Sequence, residues 1–376
     1  MNKILYVLGD KMMFSLTSIE KSIKEEERKE EEDFQYELDD FLKITIQNCD
    51  DNQLKVLNSE HDKYIVYGTA GSGKSMLAMR IAMTLYNEEK DFSFNIYTKA
   101  LAKYLIGRLK KAKLNNIKEH ILCGEKLNPD DIKDSDYIIV DEVQDFNKSQ
   151  LETIFDLNKK GYYLFGDDGQ QIYPGRTDRI NIIKYLIEDK KIPNYKLLNT
   201  YRFPKKIALF SENIKSKKEN LSSACLKEGG NENIPKIIEF KTKEDEVRYI
   251  DDIIKKEGWK DVGILVTNND DVKEYFDLMR KIGLTCDYKD DTEERLDFSN
   301  NRPKIITYHS SKGLEFERVF IPNCYLVDET SKLNYREALY VACTRASKTL
   351  IVSYIKGNKS PYLDKIDNNY YNFEKR

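Results

Sequence analysis

Two stretches of the chain share one pattern of hydrophobic and polar positions. Between residues 64 and 200, short apolar runs alternate with amphipathic segments that are long enough for helices. Near-continuous apolar strands separated by helices are typical of a parallel sheet that is covered on both faces. The pattern predicts strands at 64–67, 94–98, 137–140, 162–165 and 195–198, and helices at 75–86, 101–111 and 150–158.

The same pattern restarts after residue 235, which indicates a second α/β unit. It predicts strands at 236–240, 262–267, 304–308, 318–321 and 349–354, and helices at 244–256, 272–282 and 335–346. Residues 216–233 contain Lys, Ser, Gly, Asn and Glu with few apolar residues, so they are predicted to be the linker between the units. The predicted fold class is therefore α/β, with domains at 50–215 and 234–358 and a C-terminal tail at 359–376.

The first 49 residues (1–49) differ from both units and are predicted to form a short, charged, helical N-terminal arm. Residues 18–42 are rich in Lys and Glu, and opposite charges often stand three or four positions apart, which favours a helix. Two interpretations stay open. The arm is either a solvated, partly disordered segment, or a surface that binds a protein partner or another copy of the chain.

Composition narrows the class of protein. Hydrophobic residues make up 40% of the 376 residues and charged residues 34%, which is typical of a soluble globular chain. No apolar stretch approaches the roughly 20 residues that span a bilayer, and no secretion signal is recognised, so we expect a cytoplasmic protein without a membrane partner. The six cysteines form no CxxC pair, which argues against a disulfide framework or a zinc site. Because the net charge is −3, any nucleic-acid contact must come from a local basic strip.

A phosphate-binding loop follows the first predicted strand. The segment GTAGSGKS fits GxxxxGK[ST] and opens an amphipathic helix, which is the setting that this motif requires. Its glycines let backbone N–H groups converge on phosphate oxygens, and the helix N-terminus adds positive potential. We expect Lys74 to reach the β- and γ-phosphates and Ser75 to ligate Mg²⁺. The predicted nucleotide-binding residues here are Gly68, Thr69, Ala70, Gly71, Ser72, Gly73, Lys74 and Ser75. The motif alone leaves a small-molecule kinase open.

Two acids end the apolar strand at 137–140. In a doubly wound sheet, the carboxyl ends of parallel strands meet at the crevice that binds the ligand, so both acids should face the phosphate-binding loop. Asp141 is predicted to hold Mg²⁺ through water, and Glu142 is predicted to polarise the attacking water. A kinase that transfers phosphate to an alcohol does not need the second acid.

Further boxes resemble those of the superfamily 1A helicases of the UvrD/Rep type. Residues 141–145 (DEVQD) resemble the DExxQD box, and residues 166–173 (GDDGQQIY) resemble the GDxxQxIY box. Residues 200–202 (TYR), 307–316 (TYHSSKGLEF) and 340–346 (YVACTRA) resemble the TYR, T-x-H-x-x-KGLEF and YVAxTRA boxes. The boxes follow in the family's order over about residues 50–355.

This resemblance implies two RecA-like P-loop NTPase domains with ATP and Mg²⁺ between them. Gln53 would bond the adenine edge, Tyr201 would stack on the adenine, and Glu315 would contact the ribose. Gln170 would sense the γ-phosphate and the attacking water, while Arg202 and Arg345 would serve as arginine fingers. The implied catalytic residues are Lys74, Glu142, Gln170, Arg202 and Arg345, and the implied metal ligands are Ser75 and Asp141.

A single strand would run across both domains in such a protein. The segment that follows the second predicted strand carries a local strip of basic residues, which favours contacts with phosphates. The alternative for this strip is an ordinary solvated helix face. The predicted nucleic-acid contacts are Thr98, Lys99, Lys103, Tyr173, His309 and Ser310. Tyr173 would stack on a base.

The chain also departs from the family's pattern. Residues 174–176 (PGR) replace the aromatic residue that usually follows the IY pair, and Gly169 stands where an acid is common. The gaps at 114–135 and 288–302 are too short for the accessory domains that the family inserts there. The resemblance therefore indicates a compact form that has the motor and lacks most of the duplex-handling parts.

Three functions remain open on the sequence alone. The first is an ATP-driven helicase or translocase on single-stranded nucleic acid, with DNA favoured over RNA. The second is a nucleic-acid-stimulated ATPase that acts as a switch or loader for a partner effector, such as a nuclease in phage defence or DNA repair. The charged arm favours this second function. The third, a binding protein with an inactive ATPase site, is disfavoured because the catalytic residues are present.

Overall fold

A computed structural model describes residues 49–111, 115–123, 135–157, 160–167, 181–215, 220–289, 295–326 and 334–376. The predicted N-terminal arm lies outside the described residues except for Cys49. Gln170 and Tyr173 also lie outside them, so the structure does not place these two predicted site residues.

The first domain is built on a parallel sheet with the strand order β3-β2-β4-β5-β1-β6. Its strands are β1 Lys63–Gly68, β2 Phe92–Ile96, β3 Ile121–Cys123, β4 Tyr137–Asp141, β5 Gly161–Gly166 and β6 Asn194–Leu197. Its helices are α1 Asp51–Leu57, α2 Lys74–Asn87, α3 Lys99–Lys111, α4 Lys148–Leu157, α5 Ile182–Lys184, which continues as a π-turn, and α6 Lys205–Glu212. The central strands are buried because helices cover both faces.

The second domain repeats this plan on a parallel sheet with the order β13-β7-β12-β11-β8-β10-β9. Its strands are β7 Lys236–Phe240, β8 Val262–Val266, β9 Asp287–Tyr288, β10 Lys304–Thr307, β11 Phe316–Ile321, β12 Ala346–Ile355 and β13 Asn372–Lys375. Its helices are α7 Lys243–Glu257, α8 Asn269–Lys281 and α9 Tyr335–Cys343. The α/β fold class with two RecA-like parallel sheets is confirmed.

Three short strands were not predicted from the sequence. β3 and β9 contain three and two residues, which is too few for a hydrophobic pattern to stand out. β13 lies in the segment that was expected to be a C-terminal tail, and it pairs in parallel with β7 at the edge of the second sheet. Its residues are mostly exposed, so no apolar alternation marks it as a strand.

The two domains contact each other near both ends of the first sheet. The Arg336 guanidinium at the start of α9 donates hydrogen bonds to the carbonyls of Ile214 and Lys215, just after α6. Near the other end, the ring of Phe298 packs edge-on against Tyr104 of α3, with 5.4 Å between ring centroids. Lys312 and Glu315 of the second domain form ion pairs with Asp145 and Arg202 of the first domain across the same interface.

Cys49, Cys225, Cys286, Cys324 and Cys343 are free thiols. Within the described residues, no helix has the length and apolar character needed to cross a membrane.

Candidate active site between the two domains

The phosphate-binding loop joins the carboxyl end of β1 to the first turn of α2. Gly71 and Gly73 have φ values of +74° and +92°, a region that favours glycine. A Cβ on Gly71 would lie 2.5 Å from Thr200 Oγ1, so this position also needs glycine to let the TYR box approach. The Lys74 ammonium turns back over the loop, where it donates to the carbonyls of Gly68 and Thr69, both at 2.8 Å.

The TYR box is tied to this loop by backbone contacts. Thr200 Oγ1 donates to the Ala70 carbonyl at 2.5 Å, and the Tyr201 N–H donates to the Gly71 carbonyl at 2.9 Å. These bonds place Tyr201 and Arg202 beside the loop. The position agrees with a nucleotide-binding role for Tyr201, which remains a prediction.

Asp50 and Gln53 organise the start of α1 beside the same loop. Gln53 is buried, accepts a hydrogen bond from the Asp50 N–H at 3.2 Å, and donates through Nε2 to the Ser72 carbonyl at 3.0 Å. Asp50 Oδ2 accepts from the Tyr201 hydroxyl at 2.6 Å. Burial opposes the charge of Asp50, but the bonds from Tyr201 and Gln53 outweigh it and keep the pKa of this carboxyl low. The predicted adenine-reading amide therefore supports the loop in this arrangement.

Asp141 and Glu142 sit at the carboxyl end of β4, on the sheet edge that carries the phosphate-binding loop. Glu142 adopts a left-handed backbone conformation, with φ of 56°, which turns its side chain away from the strand direction. Burial and the charge of Glu142 raise the pKa of Asp141. Burial also acts against the charge of Glu142, but nearby Lys312 and Lys74 outweigh it, so the pKa of Glu142 is lowered. Glu142 is thus held as a carboxylate.

Among the residues that the structure describes, several buried oxygens of this site have no hydrogen-bond partner. They are Asp141 Oδ2, Thr69 Oγ1 and Ser72 Oγ. An unsatisfied buried carboxylate oxygen is costly, and a cation is a partner that would satisfy it. The Ser75 hydroxyl lies close enough to lower the pKa of Asp141. Hydroxyl and carboxylate oxygens suit Mg²⁺, so these residues fit the expected metal.

The second domain inserts a lysine into the acidic side of the first domain. Lys312, from the loop between β10 and β11, donates to both carboxylate oxygens of Asp145, at 2.8 and 2.7 Å. Its ammonium also lies 3.8 Å from the Glu142 carboxylate. The side chains of Lys312 and Asp145 are fully buried. Burial disfavours the charge on Lys312, but Asp145 and Glu142 outweigh it and raise its pKa.

Gln144 links the carboxylates to the next box. Its Nε2 donates to Glu142, and its Oε1 accepts the N–H of Asp167 at 2.9 Å. Asp167 follows β5 and lies 3.5 Å from the Lys74 ammonium. Gln144 therefore orients the predicted base and the start of the GDxxQxIY box together.

Arg202 of the first domain reaches the second domain. Its Nε donates to Glu315 at 3.1 Å, and its Nη1 lies 3.5 Å from the Thr344 carbonyl. Glu315, the predicted ribose contact, is thus an ion-pair partner of a predicted arginine finger. The Arg202 side chain is mostly buried, while Glu315 is half exposed.

Arg345 of the YVACTRA box lies directly before β12. It is buried and donates through Nε to the Val341 carbonyl at 2.9 Å and through Nη1 to the Leu314 carbonyl at 3.3 Å. Burial and the neighbouring charge of Arg202 lower its pKa to about 9, which leaves the guanidinium charged at neutral pH. Attraction to Glu142 acts in the opposite direction and favours the charged guanidinium.

The predicted nucleic-acid residues that the structure describes lie on two facing elements. Thr98 caps α3, where its Oγ1 accepts the Leu101 N–H at 3.3 Å, and Lys99 and Lys103 follow on the first turns. His309 and Ser310 occupy the loop after β10 and are half-buried. A Cβ on Gly313 in that loop would lie 2.5 Å from the Leu101 side chain, so the two elements touch.

Four residues that organise this site have no role predicted from the sequence. Asp145, Lys312, Gln144 and Asp167 all stand inside boxes that were recognised, so their positions were marked but their partners were not. Asp145 and Lys312 are 167 positions apart, and only the docking of the domains brings them together.

Comparisons with known proteins agree with this arrangement. The model of a viral superfamily 1 RNA helicase core domain matches residues 64–256, and the model of a UvrD-like helicase C-terminal domain matches residues 304–353. The chain belongs to the superfamily 1 helicases. Members of this superfamily are, as a class, nucleic-acid motors that hydrolyse ATP.

Individual relatives are more distant or match shorter segments. A protein of Acanthamoeba polyphaga mimivirus, R568, provisionally named an ATP-dependent DNA helicase, is 27% identical over 267 residues, which cover 62% of this chain and 37% of that protein. The RecB subunit of the RecBCD enzyme of Chlamydia muridarum is 43% identical over 67 residues, which are 16% of this chain and 6% of the subunit. The superfamily 1 helicase chain thus spans little more than a third of the first of these relatives.

A solved structure also matches part of the chain. It is the C-terminal domain of a possible DNA helicase from Lactobacillus plantarum, which is 20% identical and has a TM-score of 0.36. The match covers 46% of this chain and 98% of that domain.

Proposed function

We propose that this superfamily 1 helicase hydrolyses ATP in the cleft between its two domains and uses the cycle to move on single-stranded nucleic acid. The observation that carries the proposal is the convergence of both domains on Glu142. The first domain supplies the carboxylate and the phosphate-binding loop. The second domain supplies Lys312, 3.8 Å from the carboxylate, and the nearby charge of Arg345.

The residues of the first domain would bind the nucleotide and activate water. Backbone N–H groups of the phosphate-binding loop would hold the phosphates, and Lys74 would leave its loop carbonyls to meet them. Ser75 and Asp141 would hold Mg²⁺, which supplies charge neutralisation to the phosphates when it is bound. Glu142, kept ionised by Lys312 and Lys74, would accept the proton of the attacking water.

The residues of the second domain would make hydrolysis depend on closure. Phosphoryl transfer needs positive charge around the transferred group, and an arginine finger contributes about 10³–10⁵ in rate. Arg345 belongs to the second domain, and Arg202 is held by Glu315 of that domain. Separation of the domains would remove Arg345 and Lys312 together, so each turnover is coupled to domain motion.

A single strand would lie where α3 meets the loop after β10. Lys99 and Lys103 of the first domain would contact phosphates, and His309 and Ser310 would contact the strand from the second domain. Because the two elements touch through Leu101 and Gly313, a strand bound there would contact both domains at once. Phosphate contacts of this kind make binding depend on salt.

The test is ATP hydrolysis by the purified chain alone and with single-stranded DNA, single-stranded RNA or duplex DNA. We expect single-stranded DNA to stimulate turnover most. Lys74→Ala should abolish turnover in every condition. Glu142→Gln should lower kcat by about 10²–10⁴ while the affinity for ATP is retained, because it removes the general base and leaves the phosphate contacts.

Two outcomes would contradict the proposed function, and a third measurement would refine it. Turnover that ignores every nucleic acid would contradict a motor on a single strand. The absence of turnover in all conditions would contradict the ATPase itself. If turnover is stimulated, unwinding of a tailed duplex by the isolated chain separates a helicase from a translocase.

One observation favours a second function, a switch or loader for a partner effector such as a nuclease. Over 67 residues, this chain matches RecB, a protein whose name describes it as a subunit of a larger enzyme. Stimulated hydrolysis without unwinding, together with a protein that co-purifies with the full chain and is lost when residues 1–49 are deleted, would support this function.

A further inference from the structure

Residues 295–303 of the second domain, which we call the strap, cross the interface to α3 of the first domain. The strap leads directly into β10, which pairs with β9 at one end of the second sheet. Its Phe298 is 8% exposed and meets the Tyr104 ring of α3 at an interplanar angle of 88°. An edge-on aromatic pair of this kind is attractive beyond the area that it buries.

α3 carries a glycine where the strap arrives. Gly107 lies in the middle of the helix, a position for which glycine is poorly suited because it loses the most backbone freedom. A Cβ at this position would lie 3.0 Å from the Phe298 Cβ and 3.4 Å from its carbonyl carbon. Because Gly107 has no side chain, Phe298 and its backbone can occupy the space beside this turn of the helix.

The strap is held in shape at its base. The Lys304 ammonium, which is buried, donates to Asp287 at 3.0 Å, to Asn300 at 2.8 Å and to the Arg302 carbonyl at 2.6 Å. Asn300 donates in turn to the same Asp287 carboxylate at 2.9 Å. At the other end, the Arg295 N–H donates to the Tyr288 carbonyl at 2.9 Å and the Asp297 N–H donates to Asp287 at 3.3 Å. Both ends of the strap are thus held by the second domain, so Phe298 is presented as part of a preorganised loop.

The topology places the strap far from the linker. α3 follows β2, near one end of the first sheet, whereas α6 and the linker follow β6 at the other end. In the second sheet the strap leads into β10 beside β9 at one end, and β13 forms the other end. Arg336 holds the domains together beside the linker, and Tyr371, which precedes β13, packs on Phe210 of α6.

We propose that the strap is a latch that holds the two domains closed at the end of the cleft remote from the linker, with Phe298 seated over Gly107. This inference rests on the proposed function, since a latch matters only in a protein whose domains separate during turnover. The latch also adjoins the predicted strand path. At about 100° per residue, Lys103 and Tyr104 of α3 occupy neighbouring faces of the helix.

The first test is hydrogen–deuterium exchange on the full chain without ligands. Phe298→Ala removes the seated ring, and Gly107→Leu fills the seat from the other domain with a residue that favours helices. We expect both variants to speed exchange at least about threefold in α3 and the strap and to leave α6 and α9 unchanged, because opening at the latch exposes local amides. Phe373→Ala, which truncates a half-exposed ring on β13, is the matched control.

The second test is ATP turnover by the same variants. A latch that favours the closed state predicts a rise in KM for ATP of about tenfold in both variants, equivalent to about 1.4 kcal/mol, with kcat changed much less. The catalytic groups are untouched by either substitution. The control Phe373→Ala should match the unaltered chain in both tests.

Two results would overturn the latch. Exchange that is unchanged in α3 in either variant would show that Phe298 does not restrain opening. Exchange that rises throughout the second domain would show that the strap only stabilises that domain. If the unaltered chain fails to hydrolyse ATP, the proposed function fails, while the exchange experiment still decides whether the strap holds the domains together.

Discussion

Two of the contacts between the domains differ in chemistry. The cleft contacts, which are Lys312 with Asp145 and Arg202 with Glu315, join charged groups. The strap contact joins Phe298 to Tyr104 and Gly107 through apolar surface. Both kinds cross the same interface, so any motion that opens the cleft must break both.

This difference indicates which contact stabilises the closed arrangement of the domains and which contact makes the charge of Glu142 depend on that arrangement. Burying two charges removes them from water, and their attraction repays that cost only in good geometry, so the net gain of a buried ion pair is small. Apolar contact gives a net attraction that grows with the area removed from water. We infer that the strap supplies holding energy, whereas the Lys312 pair makes the electrostatic state of Glu142 depend on closure.

The largest effect should come from breaking the buried pair on one side only. Lys312→Met keeps most of the unbranched side chain and leaves Asp145 buried without a cation, which costs about 3–5 kcal/mol in other proteins. We expect kcat/KM for ATP to fall about 100-fold or more. Because Lys312 lowers the pKa of Glu142, the acid limb of the pH–rate profile should also move to higher pH. Steady-state hydrolysis between pH 5 and 9 measures both.

Two further variants sharpen this result. Adding Asp145→Leu to Lys312→Met removes the stranded carboxylate and should recover part of the affinity for ATP, although the shifted acid limb should remain. Lys348→Met removes an exposed lysine that pairs with Glu317 and should behave as the unaltered chain. A fall in kcat/KM of less than about threefold in Lys312→Met would contradict the inference that the Lys312 pair makes the electrostatic state of Glu142 depend on closure.

The sequence predicted the parts of the site that are local in the chain. β1, β4 and β5 are apolar runs whose carboxyl ends must meet in a parallel sheet, so the strand pattern alone places the phosphate-binding loop beside Asp141. The first residue of some helices was predicted less accurately. α2 starts at Lys74 and α8 at Asn269, one and three residues before the predicted starts.

Contacts between the domains could not be predicted in the same way. Lys312 and Asp145 stood in recognised boxes, but nothing in their spacing showed that one would pair with the other. The contact between the strap and α3 is marked in the sequence only by Gly107, a single glycine within a helical pattern. Such glycines also occur in helices without any function. Docking of two sheets depends on surfaces that a one-dimensional pattern does not contain.

A smaller effect, on the stability of the folded chain, is expected from Asp141, whose charge is buried within the first domain. The folded pKa of Asp141 is raised above its unfolded value by burial and by Glu142, so the stability that it contributes is present at low pH and is lost as pH rises through the folded pKa. Asp141→Asn does not titrate. Without Mg²⁺ at pH 8, we expect the variant to be more stable by about 1–3 kcal/mol, which thermal unfolding measures.

The pH dependence of this difference is its own check. The advantage of Asp141→Asn should shrink as pH falls from 8 towards 5, because the unaltered carboxyl then takes up its proton. Mg²⁺ with ATP should stabilise the unaltered chain more than the variant. Asp277→Asn, at an exposed position beside Arg280, should change stability by less than about 0.5 kcal/mol at either pH. An equal gain at pH 5 and pH 8 would show that ionisation of Asp141 is not the cause.

The smallest effect should come from the exposed cleft contact. Glu315 is half exposed, and ion pairs of this kind contribute about 0–1 kcal/mol, so Glu315→Gln should raise KM for ATP less than about fivefold and leave kcat unchanged. Glu315→Ala separates the two roles of the residue, since it removes the partner of Arg202 and also the predicted ribose contact. If the ribose contact is real, the loss with Glu315→Ala should be larger for ATP than for 2′-deoxy-ATP. An equal loss for both nucleotides would assign Glu315 to the domain contact alone, and it would leave Arg202 as the only residue of the pair that acts on the nucleotide.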